Sequence, residues 1–304
     1  MSSDDPLDPD LIRANLRTRQ IGRKVLVYEQ TLSTNDVAAE YARNPENVGL
    51  AVFAEEQTAG RGRAGARWHS ARADSLLFSV VLPECDVGHE LLSLTCAVAV
   101  AEAIGQVGGC QAEIKWPNDI VLDGKKVAGI LLESKALKAS RRGRVCTAHP
   151  NAPEGTEDGV RCTPYQLQTS APPAPAARPA PGTIHIVGIG INCHQTLAGF
   201  PADLRTTATS LDLISGTPCQ RATVAKRVLT SLDHWLRVAE RNRQQVIETW
   251  SRLSTQLGQR VTLSFNRRRF TGNCIGVDPE KGLILQLDRG GIRIFAAAHT
   301  HIVK

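Results

Sequence analysis

Residues 135–182 break the strand-and-helix pattern of the chain, and what flanks them constrains the fold. Before them, Lys126 to Glu133 (KVAGILLE) reads as a strand, and after them Thr183 to Ile191 (TIHIVGIGI) reads as another. Between lie eight of the chain's 16 prolines, ending in the run APPAPAARPAPG. No helical or strand period survives there, so the segment reads as a disordered or extended insert. Strands on both sides make it a swollen hairpin loop rather than a domain boundary.

The rest of the chain is periodic. Lys24 to Gln30 is strand-like, and a helix is expected through Arg43, with Ser33 or Thr34 as its N-cap. Residues 50–54 (LAVFA) and 76–82 (LLFSVVL) read as buried strands, and Leu91 to Val107 as a buried, Ala-rich helix. Residues 114–122 (IKWPNDIVL) carry a strand interrupted at Trp116-Pro117, and Gly124 turns the chain into the next strand. Val224, Val228, Leu232, Trp235 and Leu236 share one helical face, and Val246, Trp250 and Leu253 share another. From Gly258 the chain alternates in short strands (RVTLSF, FTGNCIGV, GLILQLD, GIRIFAA), which predicts a small all-β barrel.

The formal charge of +6 invites a polyanion partner, so its location matters. The insert holds seven Lys/Arg against three Asp/Glu; the other 256 residues hold 29 against 27, a net of only +2. No apolar run is read as a membrane span, and Met1 to Asp10 has neither a basic nor an apolar region of a secretory signal. The expected location is the cytoplasm. Eight Cys are dispersed without a CxxC pair and read as reduced, mostly buried small hydrophobes. Cys146, His149 and Cys162 match no strong zinc spacing.

The most unusual local sequence is Glu55 to Ser70, EEQTAGRGRAGARWHS. Gly60, Gly62 and Gly65 formally satisfy GxGxxG, but a dinucleotide site needs a helix next, and a strand pattern follows instead. Glycines bring backbone N–H groups close to an anion, and interleaved Arg adds fixed charge and bidentate hydrogen bonds to phosphate or carboxylate. Such a loop suits two mutually repelling anions held together.

Four further motifs stand beside that loop: Ser33-Thr34-Asn35, Lys115-Trp116-Pro117-Asn118-Asp119, Lys126-Val127-Ala128-Gly129-Ile130 and Gly188-Ile189-Gly190-Ile191-Asn192. Together, and in this order, they closely resemble the biotin–protein ligase family, over about 24–135 and 183–256 and more loosely the C-terminal strands. The resemblance implies an α+β chain. A mixed-sheet, class II synthetase-like catalytic domain would span 24–256 after an extension at 1–23, with a small SH3-like β-barrel over 257–304. It also implies a two-step reaction. Biotin carboxylate attacks the α-phosphorus of Mg-ATP to give biotinyl-5′-AMP and pyrophosphate. A Lys of a biotin carboxyl carrier domain then takes the biotinyl group and releases AMP. Substrates and metal would be biotin, ATP and Mg²⁺, with no tightly bound prosthetic group.

Residue by residue, the resemblance places Ser33, Thr34 and Asn35 on the biotin side, the two hydroxyls toward the ureido group. Gln57 would contact biotin, and Gly60 and Arg61 would close over it, Arg61 near the carboxylate. Arg63 would reach the phosphates and Trp68 would stack on adenine. Lys126 is the expected bridge between carboxylate and α-phosphate, offsetting charge that gathers in the transition state. Gly129 permits close approach of the ligand. Lys115, Asn118, Asp119 and Asn192 fall on the nucleotide side, with Lys115 contacting phosphate or pairing with Asp119, and Asp119 a candidate Mg²⁺ ligand. Glu55, Glu56 and His69 read as surface. Ala64 stands where many relatives carry Arg, which bears on retention of the adenylate.

About 20 residues precede the catalytic pattern, too few for a winged helix, so no sequence-specific DNA binding and no membrane partner is expected. The expected state is a monomer or a ligand-promoted homodimer. A lipoate–protein ligase shares the fold, but the GRGRxG and KWPND spellings favour biotin. A basic nucleic-acid-binding module is the other reading, resting on Arg267-Arg268-Arg269, which also suits a solvated hairpin tip.

Overall fold

A computed structural model describes residues 5–83, 87–136 and 183–303. The Pro/Ala-rich insert and its Cys146, His149 and Cys162 lie outside the described residues, apart from Lys135 and Ala136 at its start.

In chain order the elements are α1 (Pro9–Arg13), β1 (Val25–Thr31), α2 (Thr34–Tyr41), β2 (Ala51–Gln57), β3 (Ser75–Val81), α3 (His89–Gly108), β4 (Glu113–Lys115), β5 (Asp119–Leu122), β6 (Lys125–Ala136) and β7 (Thr183–Asn192). There follow α4 (Leu211–Ser215), α5 (Arg221–Arg241), α6 (Arg243–Leu253), β8 (Arg260–Phe265), β9 (Arg268–Asp278), β10 (Gly282–Leu287), β11 (Ile292–Phe295) and β12 (Thr300–Val303). The first seven strands form one mixed sheet in the order β1-β2-β3-β7-β6-β5-β4. The β1/β2 pair is parallel, whereas β2/β3, β3/β7, β4/β5 and β5/β6 are antiparallel. The strands that flank the insert, β6 and β7, are hydrogen-bonded neighbours, as a swollen hairpin requires.

Strand alternation sorts side chains between the two faces of this sheet. Phe53, Leu76, Phe78, Val80, Val187, Ile189 and Ile191 enter the main core beneath α3, α5 and α6. Val52, Val81 and Ile186 point the other way, onto Ala38 and Ala42 of α2. Phe53 and Phe78, directly opposite in register, stack with centroids 4.9 Å apart. In the GIGI stretch of β7 the isoleucines therefore fill the core, and Gly188 and Gly190 floor the opposite face.

Helix α3 reaches the length and apolarity of a membrane span, which the sequence reading did not credit. Two thirds of its span-like window is buried, against α5, α6 and the sheet, so it serves as a core helix. The turn Asp123-Gly124 takes φ of 49° and 72°, the left-handed pair a two-residue hairpin needs. At Trp116-Pro117 the chain reverses, so β4 and β5 pair with each other, Lys115 opposite Asp119.

Residues 5–24 belong to the core. Leu7, Ile12 and Ile21 are buried, and the Asp233 carboxylate of α5 accepts backbone N–H bonds from Arg19, Gln20 and Ile21 at 3.0, 2.9 and 3.2 Å. Glu55, expected at the surface, is buried. It accepts from the Leu7 N–H at 2.7 Å and pairs with Arg221 Nη1 at 2.7 Å. The odd positions of β2 face the core, and a charge there needs its partner.

The C-terminal strands form a five-stranded sheet, order β11-β10-β9-β8-β12, of the SH3-like kind. Its last strand, β12, was not expected from the sequence. Asn266 and Arg267 occupy left-handed turn positions between β8 and β9, and Arg267, Arg268 and Arg269 are exposed there, a solvated hairpin tip. Glu90 of α3 accepts the Ala297 N–H at 3.1 Å, and Gln256 accepts the Trp116 N–H at 2.8 Å, tying this sheet to the catalytic part.

Candidate active site

A cavity of about 410 Å³ opens on the α2 face of the large sheet. Ser33, Thr34, Asn35 and Gln57 line one end. Arg61, Arg63 and Trp68 come from the Gly/Arg loop, and Lys115, Asn118, Asp119, Lys126 and Gly129 from β4 to β6. Of the residues expected at the site, Gly60 and Asn192 do not line this cavity. Gly60 sits beneath Trp68, whose Cβ a side chain at that position would meet at 3.3 Å. Asn192 is buried at the end of β7, donating to the Thr209 carbonyl at 2.9 Å.

The polar end is a closed hydrogen-bond chain. Neither Ser33 nor Thr34 caps α2 with its side chain, contrary to expectation. The Thr34 hydroxyl instead meets Ser79 Oγ at 2.7 Å and donates to Gln57 Oε1 at 3.1 Å, while the Thr34 N–H donates to the same oxygen at 2.7 Å. Ser79 donates to Asn35 Oδ1 at 2.5 Å, and Asn35 Nδ2 donates to Glu133 at 3.1 Å. A methyl at Gly188 would collide with Asn35 Oδ1.

Lys126 reaches the cavity through an irregularity in the sheet. In the β5/β6 ladder Val121 faces Lys126, but Ile120 faces Ala128, so Val127 is an extra, bulged residue. The bulge buries Val127 and Ala128 side by side and leaves Lys126 and Gly129 on the cavity side. The Lys126 backbone is pinned by Thr207 and Thr209, at 2.8 and 2.9 Å. Its ammonium pairs with Asp119 Oδ1 at 2.6 Å. Asp119 therefore pairs with Lys126, not with Lys115 as one sequence reading had it; Lys115 makes no ion pair among the described residues.

The two loop arginines differ. Arg61 binds Asp36 bidentately, at 2.6 and 2.8 Å, with Glu133 3.6 Å away. The Arg61 hydrogen bond holds the Asp36 carboxyl below its ordinary range, and the same bond raises the guanidinium. Arg63 is turned toward the C-terminal sheet, donating to the Ala297 carbonyl and to Asn118 Oδ1, the latter at 3.3 Å. Burial pushes its pKa down. Residues 298–302 thus form a wall of the cavity, a contribution no sequence motif announced.

Trp68 lies on a floor of glycines. A Cβ on Gly190 would sit 2.7 Å from its indole, and one on Gly129 would sit 3.0 Å away. The indole N–H is buried without a partner among the described residues, and Lys126 Nζ lies 5.6 Å from the ring centroid. A Gly190→Ala variant is expected to lift the indole and lower turnover about tenfold, read by steady-state kinetics beside tryptophan fluorescence. Unchanged fluorescence and rate would mean that Trp68 does not depend on this floor.

The fold and site define a class: an α+β domain holding cationic side chains around a cleft that is polar and closed at one end. A family model described as the Biotin/lipoate A/B protein ligase family matches residues 27–151. The Bifunctional ligase/repressor BirA of Bacillus subtilis is 30% identical over 289 residues, covering 94% of this chain and 76% of that protein. A Biotin--[acetyl-CoA-carboxylase] ligase of Mycobacterium tuberculosis is 37% identical over 145 residues, 44% of this chain and 54% of that one. Among solved structures, the biotin protein ligase of Aquifex aeolicus in complex with biotin and ATP has a TM-score of 0.68 at 23% identity, covering 93% of this chain and 99% of that one. The chain belongs to the biotin–protein ligase family, within the biotin/lipoate A/B protein ligases.

Proposed function

We propose that this protein is an ATP-dependent biotin–protein ligase, which forms biotinyl-5′-AMP and transfers biotin to a lysine of a biotin carboxyl carrier domain. The observation that carries the reading is the placement of Lys126 between a hydrogen-bonding end and a cationic end of one cavity. Thr34, Gln57, Asn35 and Ser33 supply donors and acceptors that match a ureido group, which has both. A dithiolane ring has neither and would make none of these bonds, so biotin is favoured over lipoate.

Adenylation joins two anions, and the residues act mainly by positioning and neutralisation. Lys126 leaves Asp119 to bridge the biotin carboxylate and the α-phosphate. Arg61 exchanges Asp36 for the ligand carboxylate. Lys115 and Arg63 face the phosphates, and Asn118, held by its bond to the Ile130 carbonyl at 2.8 Å, orients Arg63. The carrier lysine then attacks the acyl carbon, expelling AMP. Asp119 is the one carboxylate among the cavity-lining residues, and a hard oxygen suits Mg²⁺ carried in largely by substrate phosphates. Gly60 supports Trp68, and Asn192 holds Thr209, whose N–H donates to the Lys126 carbonyl.

ATP dependence favours a cytoplasmic location. The burial of Leu7, Ile12 and Ile21 supports a role for the N-terminal stretch in the catalytic core and none in DNA binding. The protein acts as a monomer or a ligand-promoted homodimer.

The reading is tested by competition between biotin and lipoate in pyrophosphate release. Biotin is expected to be the adenylated acid, and preference for lipoate would reverse the assignment. A Thr34→Val variant should raise the KM for biotin about tenfold with little change in kcat, because it removes a contact made equally in ground and transition states.

A further inference from the structure

A second cluster of reactive side chains lies behind the sheet, where the adenylation chemistry has no use for it. His194 follows β7, Asp212 is in α4, and Cys219 is in the turn before α5. One ligand atom from each lies within 4.8 Å of the others. We propose that His194, Asp212 and Cys219 form a zinc site, with solvent in the fourth position.

Three observations carry this. The donor set is imidazole, carboxylate and thiolate, the mixture that Zn²⁺ takes and that Mg²⁺ and Ca²⁺ do not. The spacing is nearly closed, since bonds of about 2.0–2.3 Å put tetrahedral ligand atoms about 3.3–3.8 Å apart. The three groups are also fixed by hydrogen bonds to one another and to Asp5 and the Cys193 backbone. His194 Nδ1 meets Asp212 Oδ2 at 2.8 Å, while Asp5 Oδ2 lies 3.4 Å from the other ring nitrogen. Asp212 Oδ1 accepts the Cys219 N–H at 2.7 Å, and the Asp212 N–H donates to the Cys193 carbonyl at 3.1 Å.

Charge and protons balance. One thiol loses its proton to solvent on binding, giving one thiolate and one carboxylate around a dication, a net of zero. The cysteine, histidine and aspartate spacing forms no sequence motif because β7, α4 and the α5 turn bring the ligands together only in the fold. The site would fasten the N-terminal stretch and α4 to the end of β7.

The experiment uses the full chain without a histidine tag, purified under reducing conditions. Zinc is measured by mass spectrometry, and the metal-stripped protein is titrated with Co²⁺. The expected result is one zinc per chain and a thiolate-to-cobalt charge-transfer band with tetrahedral d–d absorption. Cys219→Ser and His194→Ala should each abolish or shift these bands. A Cys146→Ser, His149→Ala, Cys162→Ser variant should keep them, which separates this site from the insert. Absence of the bands in the unsubstituted chain would overturn the proposal. So would bands that survive both Cys219→Ser and His194→Ala, or bands lost only in the insert variant.

Discussion

Replacing Lys126 by alanine is expected to cut biotin adenylation about 10²–10³-fold, the range seen when one preorganised donor at a developing charge is removed. The loss should fall on kcat, with a smaller change in the KM for biotin, because the ammonium matters most when carboxylate and phosphate oxygens share one phosphorus. Lys126 is the cation that the β6 bulge presents at the centre of the cavity. Its present partner, Asp119 at 2.6 Å, would be left without a countercharge in the variant and would repel the incoming phosphates. A Lys126→Ala, Asp119→Asn double variant should therefore regain nucleotide affinity but not kcat. Isotope exchange between pyrophosphate and ATP, dependent on biotin, reads the step directly. Full exchange in Lys126→Ala would remove the residue from the chemistry.

The second large effect is on stability. Arg221 is 1% exposed and pairs with Glu55 at 2.7 Å and Asp5 at 3.5 Å, with a further bond to the Ser75 carbonyl at 3.3 Å. Arg221→Ala leaves the buried Glu55 carboxylate unpaired, which costs about 3–5 kcal/mol. For a chain of this size that is roughly 5–8 °C of melting temperature. Denaturant unfolding monitored by tryptophan fluorescence checks it. Arg221→Met combined with Glu55→Leu should recover much of the loss, since removing both charges avoids the unpaired one. A loss below 1 kcal/mol in Arg221→Ala would mean that water reaches Glu55 despite its burial.

The parts of this molecule that local rules govern were legible before the structure. Strand alternation announced β1, β2, β3 and β7. The one-sided faces of α5 and α6 were written in Val224 to Leu236 and Val246 to Leu253. The adjacency of β6 and β7 followed from strand patterns on both sides of a run without periodicity in sequence. What stayed hidden depends on contacts far apart in sequence. Glu55 sits in a polar-looking stretch, and only the Arg221 side chain 166 positions away makes it a core residue. The extra residue at Val127 leaves no trace in a pattern that is apolar either way, yet it decides which side Lys126 faces. The motif carried Asn192 to the nucleotide side; in the structure it lies outside the cavity lining, bonded to Thr209 and Gln195, which no local pattern encodes. Residues 298–302 joined the cavity through docking of the C-terminal sheet, which no local period encodes.

The central claim is the transfer of biotin to a protein lysine at the expense of ATP. It is tested most directly by incubating the full chain with labelled biotin, Mg-ATP and a purified biotin carboxyl carrier domain. The label should reach a single lysine of the carrier, require ATP, release AMP, and fall away with Lys126→Ala. A carrier that stays unlabelled with ATP present, while a known ligase labels it in parallel, would contradict the account.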